Sequence, residues 1–357
     1  MLLAVTVVAV AAGVGVGRAA WQPQAGLTPA GGGGAGVAGA TDVSAAVDPT
    51  LVVINTTLGY QGARAAGTGI VLSSSGEILT NNHVINGATA VTATDVGNGR
   101  TYTATVTGYD RTTDLAVLQL QNASGLATAK LGDSSKVAVG DQVTAIGNAG
   151  GTGSVTAAGG TVTALDRSIS ANDDGSGTTE LLTGMIQVDA DVQPGDSGGS
   201  LVDSGGAVIG IDTAGSEPTR AGQQQAAPQG FAIPIDTALP VARQIVAGQA
   251  GAGVHLGATA FLGVEVATAS ATDTGTGTGT DSGAPVAGVV SGSPAAQAGL
   301  TGGDRITAVD GTPVGDPAAL STILAGHGVG DRLTVQWTDA DGAAHSATVT
   351  AVSGPAG

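Results

Sequence analysis

The chain has 357 residues, with 11 Lys and Arg against 28 Asp and Glu, a formal net charge of −17 and no cysteine. This length accommodates two globular domains with linkers, and the acidic balance with no basic stripe argues against nucleic-acid binding. The lack of cysteine excludes disulfide scaffolds, Cys-ligated zinc and thiol nucleophiles. Gly supplies 62 positions and aromatic residues only 2%, yet 42% of the chain is hydrophobic and 11% charged, so folded domains separated by Gly/Thr-rich segments are expected.

Residues 1–17 form an uncharged apolar run that ends at Arg18. That length sits at the lower limit for a membrane-spanning helix and slightly above the apolar core of a signal peptide. The segment is read as an anchor or a cleaved export signal, with a buried internal helix as the alternative. Residues 18–44 read as a flexible linker, with Gly31 to Gly34 in an unbroken row. Short β-rich runs follow at 51–54, 69–72, 115–120, 143–146, 207–211 and 231–235, a spacing that suggests a β-sandwich or a pair of barrels. An amphipathic segment at 237–247 carries Leu239, Ala242, Ile245 and Val246 at helical spacing and precedes a domain joint near 248–253. A Thr/Gly-rich stretch at 268–283 reads as an enlarged loop.

The segment Pro194-Gly195-Asp196-Ser197-Gly198-Gly199 carries the sharpest chemical signal. A nucleophilic serine needs a turn that exposes its hydroxyl and backbone N–H groups aimed at the developing oxyanion, which Gly195 and Ser197 can supply. A Gly-rich hairpin turn is the plainer reading of this segment alone. A serine also needs a base, and the base an orienting carboxylate. His83 follows an apparent hairpin at 69–80, and the other three histidines, His255, His327 and His345, all lie beyond the joint. Asp114 stands directly before the apolar run 115–120, placed to hold its carboxylate at a core edge. Asp173-Asp174-Gly175 lacks the spaced oxygens of a calcium loop, so no metal site is assigned.

The order His83, Asp114, Ser197 is that of the chymotrypsin-like barrels. Gly67-Thr68-Gly69-Ile70-Val71, Thr80-Asn81-Asn82-His83-Val84, Asp114-Leu115-Ala116-Val117-Leu118 and Pro194 to Gly199 together resemble the motifs of the HtrA/Deg-type trypsin-like serine proteases. Gly230 to Ile235 is similar to that family's closing strand. The resemblance implies a mostly β fold: a chymotrypsin-like double β-barrel protease domain over 45–247, followed by an α+β PDZ domain over 254–353. It implies His83 as general base and acid, Asp114 as its orienting group, Ser197 as nucleophile and the Gly195 and Ser197 N–H groups as oxyanion donors, with no cofactor. Asp191 departs from the family's usual small residue. It stands where digestive relatives carry a pocket carboxylate, which would favour Lys or Arg at the cleavage site; an apolar preference is the favoured reading. The polar segments 166–180 and 213–229 match loops that switch between inactive and active states in the family.

In the second domain Phe261-Leu262-Gly263-Val264 resembles the loop that binds a peptide carboxylate, and 293–300, 303–306, 309–311 and a helical stretch at 317–324 continue the match. The expected function is a serine endopeptidase in the cell envelope, extracytoplasmic and membrane-anchored or secreted, acting on misfolded or unfolded polypeptides and binding peptide C-termini at the PDZ domain. A homotrimer is implied by the resemblance. The rival readings are a non-catalytic peptide-binding chaperone or scaffold of the same fold, and a trypsin-like processing protease with one defined client.

Overall fold

The computed structural model describes residues 40–59, 62–172, 179–215, 229–251, 253–267 and 282–354. The apolar segment 1–17, the Gly31 to Gly34 row, Asp173-Asp174-Gly175 and most of the 213–229 and 268–283 segments lie outside these residues. The chain divides into two units, residues 1–256 and 257–357.

The first unit opens with helix α1 (Ala40–Val47), so the last residues of the expected 18–44 linker are helical. Six antiparallel strands follow: β1 (Leu51–Leu58), β2 (Ala63–Val71), β3 (Glu77–Thr80), β4 (Ala90–Asp95), β5 (Thr101–Asp110) and β6 (Leu115–Leu120). They run in the order β5-β4-β1-β2-β3-β6, and pairing of β5 with β6 closes the first barrel. The run predicted at 115–120 is strand β6. Its residues Leu115 to Leu118 are buried on both faces, which explains why it reads as an unbroken apolar stretch rather than an alternating one. The short helix α2 (Asn82–Ile85) follows β3 and packs against the first barrel's strands β1, β2 and β6.

That barrel is closed in the order β10-β11-β12-β9-β8-β7. Its strands are β7 (Gln142–Gly147), β8 (Thr156–Asn172), β9 (Thr179–Val188), β10 (Ser200–Asp203), β11 (Val208–Gly215) and β12 (Gly230–Pro234). The segment expected as a polar loop at 166–180 is largely strand: β8 continues to Asn172, and its far end pairs Asn172 with Thr179 of β9. The sequence there carries no hydrophobic alternation, so it reads as loop where the backbone is extended. Val143, Val162, Ile186, Val188, Leu201 and Ile209 fill this barrel's interior.

Helix α3 (Ile235–Val246) closes the unit with Ile235, Ala238, Ala242 and Ile245 buried at helical spacing. Strand β13 (Val254–Leu256) then returns to the first barrel and pairs with β5, Val254 opposite Asp110 and Leu256 opposite Gly108. The boundary expected at 254 therefore falls three residues later. Val254 is buried with Ile245 and Leu115, and this contact rather than chain order decides to which unit it belongs.

The second unit comprises β14 (Ala260–Phe261), β15 (Val264–Val266), β16 (Ala284–Val289), helix α4 (Pro294–Ala298), β17 (Arg305–Val309), β18 (Thr312–Pro313), helix α5 (Pro317–Ala325), β19 (Arg332–Thr338), β20 (Ala344–Thr350) and β21 (Val352–Ser353). Its main sheet runs β15-β16-β17-β19-β20, which leaves β15 as an edge strand. The helices start where the sequence provides caps: Ser293 accepts the Ala296 N–H ahead of Pro294, and Asp316 accepts the Ala319 N–H ahead of Pro317. Leu262, Val286, Ile306, Val309, Leu333, Val335 and Trp337 form a separate core.

With no disulfide available, packing carries the stability of each unit. Leu118 is fully buried between Ile78 of β3 and Val106 of β5. Leu118→Ala is expected to lower the unfolding free energy of the first unit by about 2 to 5 kcal/mol and leave the second unit's transition in place, as read by scanning calorimetry.

Candidate active site

The predicted base and its orienting acid meet at the end of the first barrel. Thr80 ends β3, Asn81 is extended, and His83 lies in the single turn of α2. Asp114 takes a left-handed backbone, φ +54°, a conformation that Asp tolerates better than most residues. Its carbonyl oxygen accepts bonds from Asn81 Nδ2 at 2.9 Å and from the Asn82 N–H at 3.2 Å. Its Oδ1 accepts the His83 backbone N–H at 2.9 Å, and its Oδ2 lies 2.8 Å from His83 Nδ1. The Thr-Asn-Asn-His segment thus grips Asp114 by both main chain and side chain. Asp114 is 3% exposed whereas the His83 side chain is 45% exposed. A proton on Nδ1, held by this carboxylate, leaves Nε2 as the basic position.

Thr213 was not singled out in the sequence, and it joins the three predicted residues. Its Oγ1 donates to Asp114 Oδ2 at 2.6 Å, and its carbonyl oxygen accepts the Ser197 hydroxyl at 3.3 Å. Thr68 is a second residue missed by sequence reasoning. Its N–H donates to the Ser197 carbonyl at 2.9 Å, its Oγ1 donates to the Gly195 carbonyl at 2.8 Å, and the same Oγ1 accepts the Asn148 N–H at 2.9 Å. Thr80 Oγ1 donates to the Thr68 carbonyl. The signal available for Thr68 was a hydroxyl in an otherwise apolar run, where a buried polar group requires partners.

The turn itself demands glycine at two positions. Gly195 has φ +100° and Gly198 φ +84°. A Cβ at 195 would run into the Asn148 carbonyl, and one at 198 into the Thr68 carbonyl and Thr80 Oγ1. The conformation leaves the N–H groups of Gly195 and Ser197 without an acceptor among the described residues. Two such donors flanking the serine are what a developing oxyanion requires.

Asp191, considered as a pocket residue, is exposed, and its Oδ2 accepts a bond from Gln193 Nε2 at 2.9 Å. In the second unit, the carbonyls of Leu262 and Gly263 are engaged by the N–H groups of Ala295 and Val290, each at 2.9 Å. Gly263 has φ +80°, and a Cβ there would collide with Ser293. The N–H groups of Leu262 and Gly263 have no acceptor among the described residues, and Val264 opens the edge strand β15. Phe261 ends β14 and is half-buried. No group of three or more metal-ligating side chains occurs among the described residues.

Two more carboxyls lie beneath the serine turn. Burial pushes Asp196 up to about 6, an effect that the Gln193 N–H opposes and the charge of Asp191 reinforces. Burial holds Asp212 well above the ordinary carboxylate range; the charge of Asp196 adds to this and the Ile146 N–H offsets part of it. A folded-state value above the unfolded one favours the folded protein fully only below the unfolded value. For Asp196 that stabilisation disappears as pH rises from about 4 through 6, a loss of about 3 kcal/mol at 1.36 kcal/mol per pH unit. Asp196→Asn, which keeps an acceptor for the Gln193 N–H, is therefore expected to be more stable than the parent at pH 8 by up to about 3 kcal/mol. The advantage should vanish near pH 4, as measured by denaturant unfolding at both pH values.

The family model for the trypsin-like peptidase domain matches residues 67–211, and that for the PDZ domain matches residues 260–350. Serine protease PepD of Mycobacterium tuberculosis is 35% identical over an alignment covering 97% of this chain and 76% of PepD. A probable periplasmic serine protease do/HhoA-like of Haemophilus influenzae is 37% identical, covering 79% of this chain and 57% of that protein. The chain thus spans about three quarters of one relative and little more than half of the other. Among solved structures, the HtrA-type protease AlgW with tripeptide is 32% identical, covers 87% of this chain and 96% of its own, and superposes with a TM-score of 0.49. A trypsin-like domain and a PDZ domain in this order, matched over nearly its whole length by a serine protease, place this chain in the HtrA family of serine endopeptidases.

Proposed function

We propose that Ser197 is the nucleophile, His83 the general base and then acid, and Asp114 the group that orients it. In this reading Ser197 Oγ attacks the scissile carbonyl carbon as His83 Nε2 takes its proton, and the Gly195 and Ser197 N–H groups receive the oxyanion. Collapse of the tetrahedral intermediate passes the proton to the leaving amine and leaves an acyl-enzyme, which water attacks with His83 again as base. The observation that carries the reading is the bond set around Asp114 and Thr213, which ties the imidazole and the serine hydroxyl to one carboxylate–threonine pair.

Unfolded or misfolded polypeptides are the proposed substrates, handled in protein quality control in the cell envelope. The relatives named as periplasmic support an extracytoplasmic location, and the apolar run 1–17 supports export or anchoring. In the described residues no helix is long and apolar enough to cross a membrane. Peptide C-termini are the proposed PDZ ligands, their carboxylate on the Leu262 and Gly263 N–H groups and their backbone added to the free edge of β15. A homotrimer rests on family resemblance alone.

Two measurements test the active-site assignment. A fluorophosphonate probe followed by mapping of the modified residue should label Ser197. Casein cleavage should fall by about 10⁶-fold in Ser197→Ala; activity equal to the parent would remove Ser197 from the chemistry. For specificity, the exposure of Asp191 supports cleavage after small or medium apolar side chains. Paired peptides ending in Val and Arg should be cut with a Val preference that Asp191→Ala does not change, whereas an Arg preference abolished by that substitution would reverse the reading.

A further inference from the structure

Beneath the nucleophile turn lies a group of polar atoms that acyl-enzyme chemistry does not use. Asp212 on β11 is completely buried, and neither of its carboxyl oxygens has a hydrogen bond of ordinary geometry. Asp196 Oδ1, Ser200 Oγ and Asn148 Nδ2 are also buried without partners, while the other oxygen of Asp196 accepts the Gln193 N–H. These atoms come from adjoining segments. Ser200 sits opposite Ile146 of β7 and Ile211 of β11, Asp196 Oδ1 occupies the space where a side chain at Gly147 would begin, and the Asp212 N–H donates to the Gly199 carbonyl.

Among the described residues, the charged groups that act on the two carboxyls are acidic. Neither takes part in an ion pair among the described residues, and exposed Asp191 is the charged neighbour of Asp196 from the turn. From β7, Asp212 faces the Ile146 amide; β10 contributes Ser200; β12 places apolar Ala232 opposite it. Across Thr213 stands the Asp114–His83 pair. Two buried carboxyls without cations or sufficient donors are not both ionised, and a retained proton lets one donate to an acceptor that otherwise has no bond.

The position of Asp212 gives this proton a consequence. Its carbonyl accepts the Gly198 N–H at 2.8 Å, and its N–H bonds Gly199 at 3.0 Å, so it is stitched to both residues that follow Ser197. The next residue, Thr213, holds Asp114 and receives the serine hydroxyl. We propose that Asp212 is a positioning residue, holding a proton jointly with Asp196, and that the uncharged Asp212 keeps Thr213 and the Ser197 turn in register. Loss of the pair's last proton as pH rises places an unpaired charge under the turn and disengages it. The inference rests on Ser197 being the nucleophile.

The test is the rate at which a fluorophosphonate phosphonylates Ser197 with loss of fluoride, from about pH 5 to about pH 10, for the full chain, Asp212→Asn and Asp196→Asn, with infrared detection of protonated carboxyl groups near pH 8. Phosphonylation of the parent should slow at alkaline pH, by about tenfold per pH unit once the last proton has left. Asp212→Asn, which mimics the protonated acid, should remove that alkaline limb and leave the acid limb where it is. Asp196→Asn removes the neighbouring charge and should move the alkaline limb to lower pH. The parent should show a protonated carboxyl band near pH 8 that Asp212→Asn lacks. Superimposable profiles for the parent and Asp212→Asn, or no such band in the parent, overturn the proposal. Should Asp212→Asn fail to fold, the band in the parent and the shift in Asp196→Asn decide. Labelling of a residue other than Ser197 would refute the nucleophile assignment, while the infrared band would still report on the proton.

Discussion

The bond from Thr213 Oγ1 to Asp114 Oδ2 is buried and crosses from one barrel to the other. Asp114 heads β6 in the first barrel, and Thr213 lies in β11 of the second, so the chemistry of the site requires the barrels to be docked in one register. Thr68 reinforces the same junction from the other direction, reaching from β2 to the carbonyls on either side of Asp196. Each such bond contributes about 1 kcal/mol net. Their larger effect is the penalty for slippage, because a displaced barrel would leave several buried donors and acceptors unpaired at once. In a chain without cysteine, this is how the Ser197 turn is fixed to the Asp114–His83 pair.

The three carboxyls around the turn show two ways to bury an acid. Asp114 has the donors of a carboxylate: the His83 amide and Nδ1, and the Thr213 hydroxyl. Asp212 has none of ordinary geometry, and Asp196 has one amide. The first arrangement surrounds its carboxyl with donors; the second leaves burial to favour the neutral acid at Asp196 and Asp212. The abundance of acids in the composition therefore says little about the electrostatics of the site. What matters is how many N–H and O–H groups the backbone directs at each carboxyl, and these are set by β6, α2 and β11 rather than by net charge.

Legibility in the sequence followed the range of the interaction. Leu115 to Leu120 form the strand their apolar run indicates, the helix at Pro317 begins at its predicted segment, and the motif order led to the trypsin-like and PDZ pairing that the family matches bear out. His83 and Asp114 are 31 residues apart, but each sits in a local motif that marks it. Thr213 lacks such marking, and Thr68, though it stands in the Gly67 to Val71 motif, was given no role there. Their importance comes from partners 99 and 127 residues away, which no periodicity records. Val254–Leu256 was assigned to the wrong unit for the same reason, since its pairing with β5 is long-range. The far end of β8 was missed because its sequence shows no hydrophobic alternation.

Glycine shows how one residue type carries two messages in this chain. By composition it suggests a chain poorly able to order itself. At Gly195, Gly198 and Gly263 it does the opposite: each has a positive φ and stands where a Cβ would strike a neighbouring backbone or side-chain atom, so the close approach exists only because the side chain is missing. At 195 and 263 the conformation also leaves amide hydrogens without internal acceptors, in the serine turn and in the loop before β15. The same stereochemical freedom thus leaves two pairs of backbone N–H groups open, donors that the proposed function gives to a transient oxyanion at one site and to a peptide carboxylate at the other. Since backbone amides do not titrate, neither site loses its donors as pH changes. Any pH response of these two sites must come from the groups that position the loops, and beneath the serine turn those groups are Asp196 and Asp212.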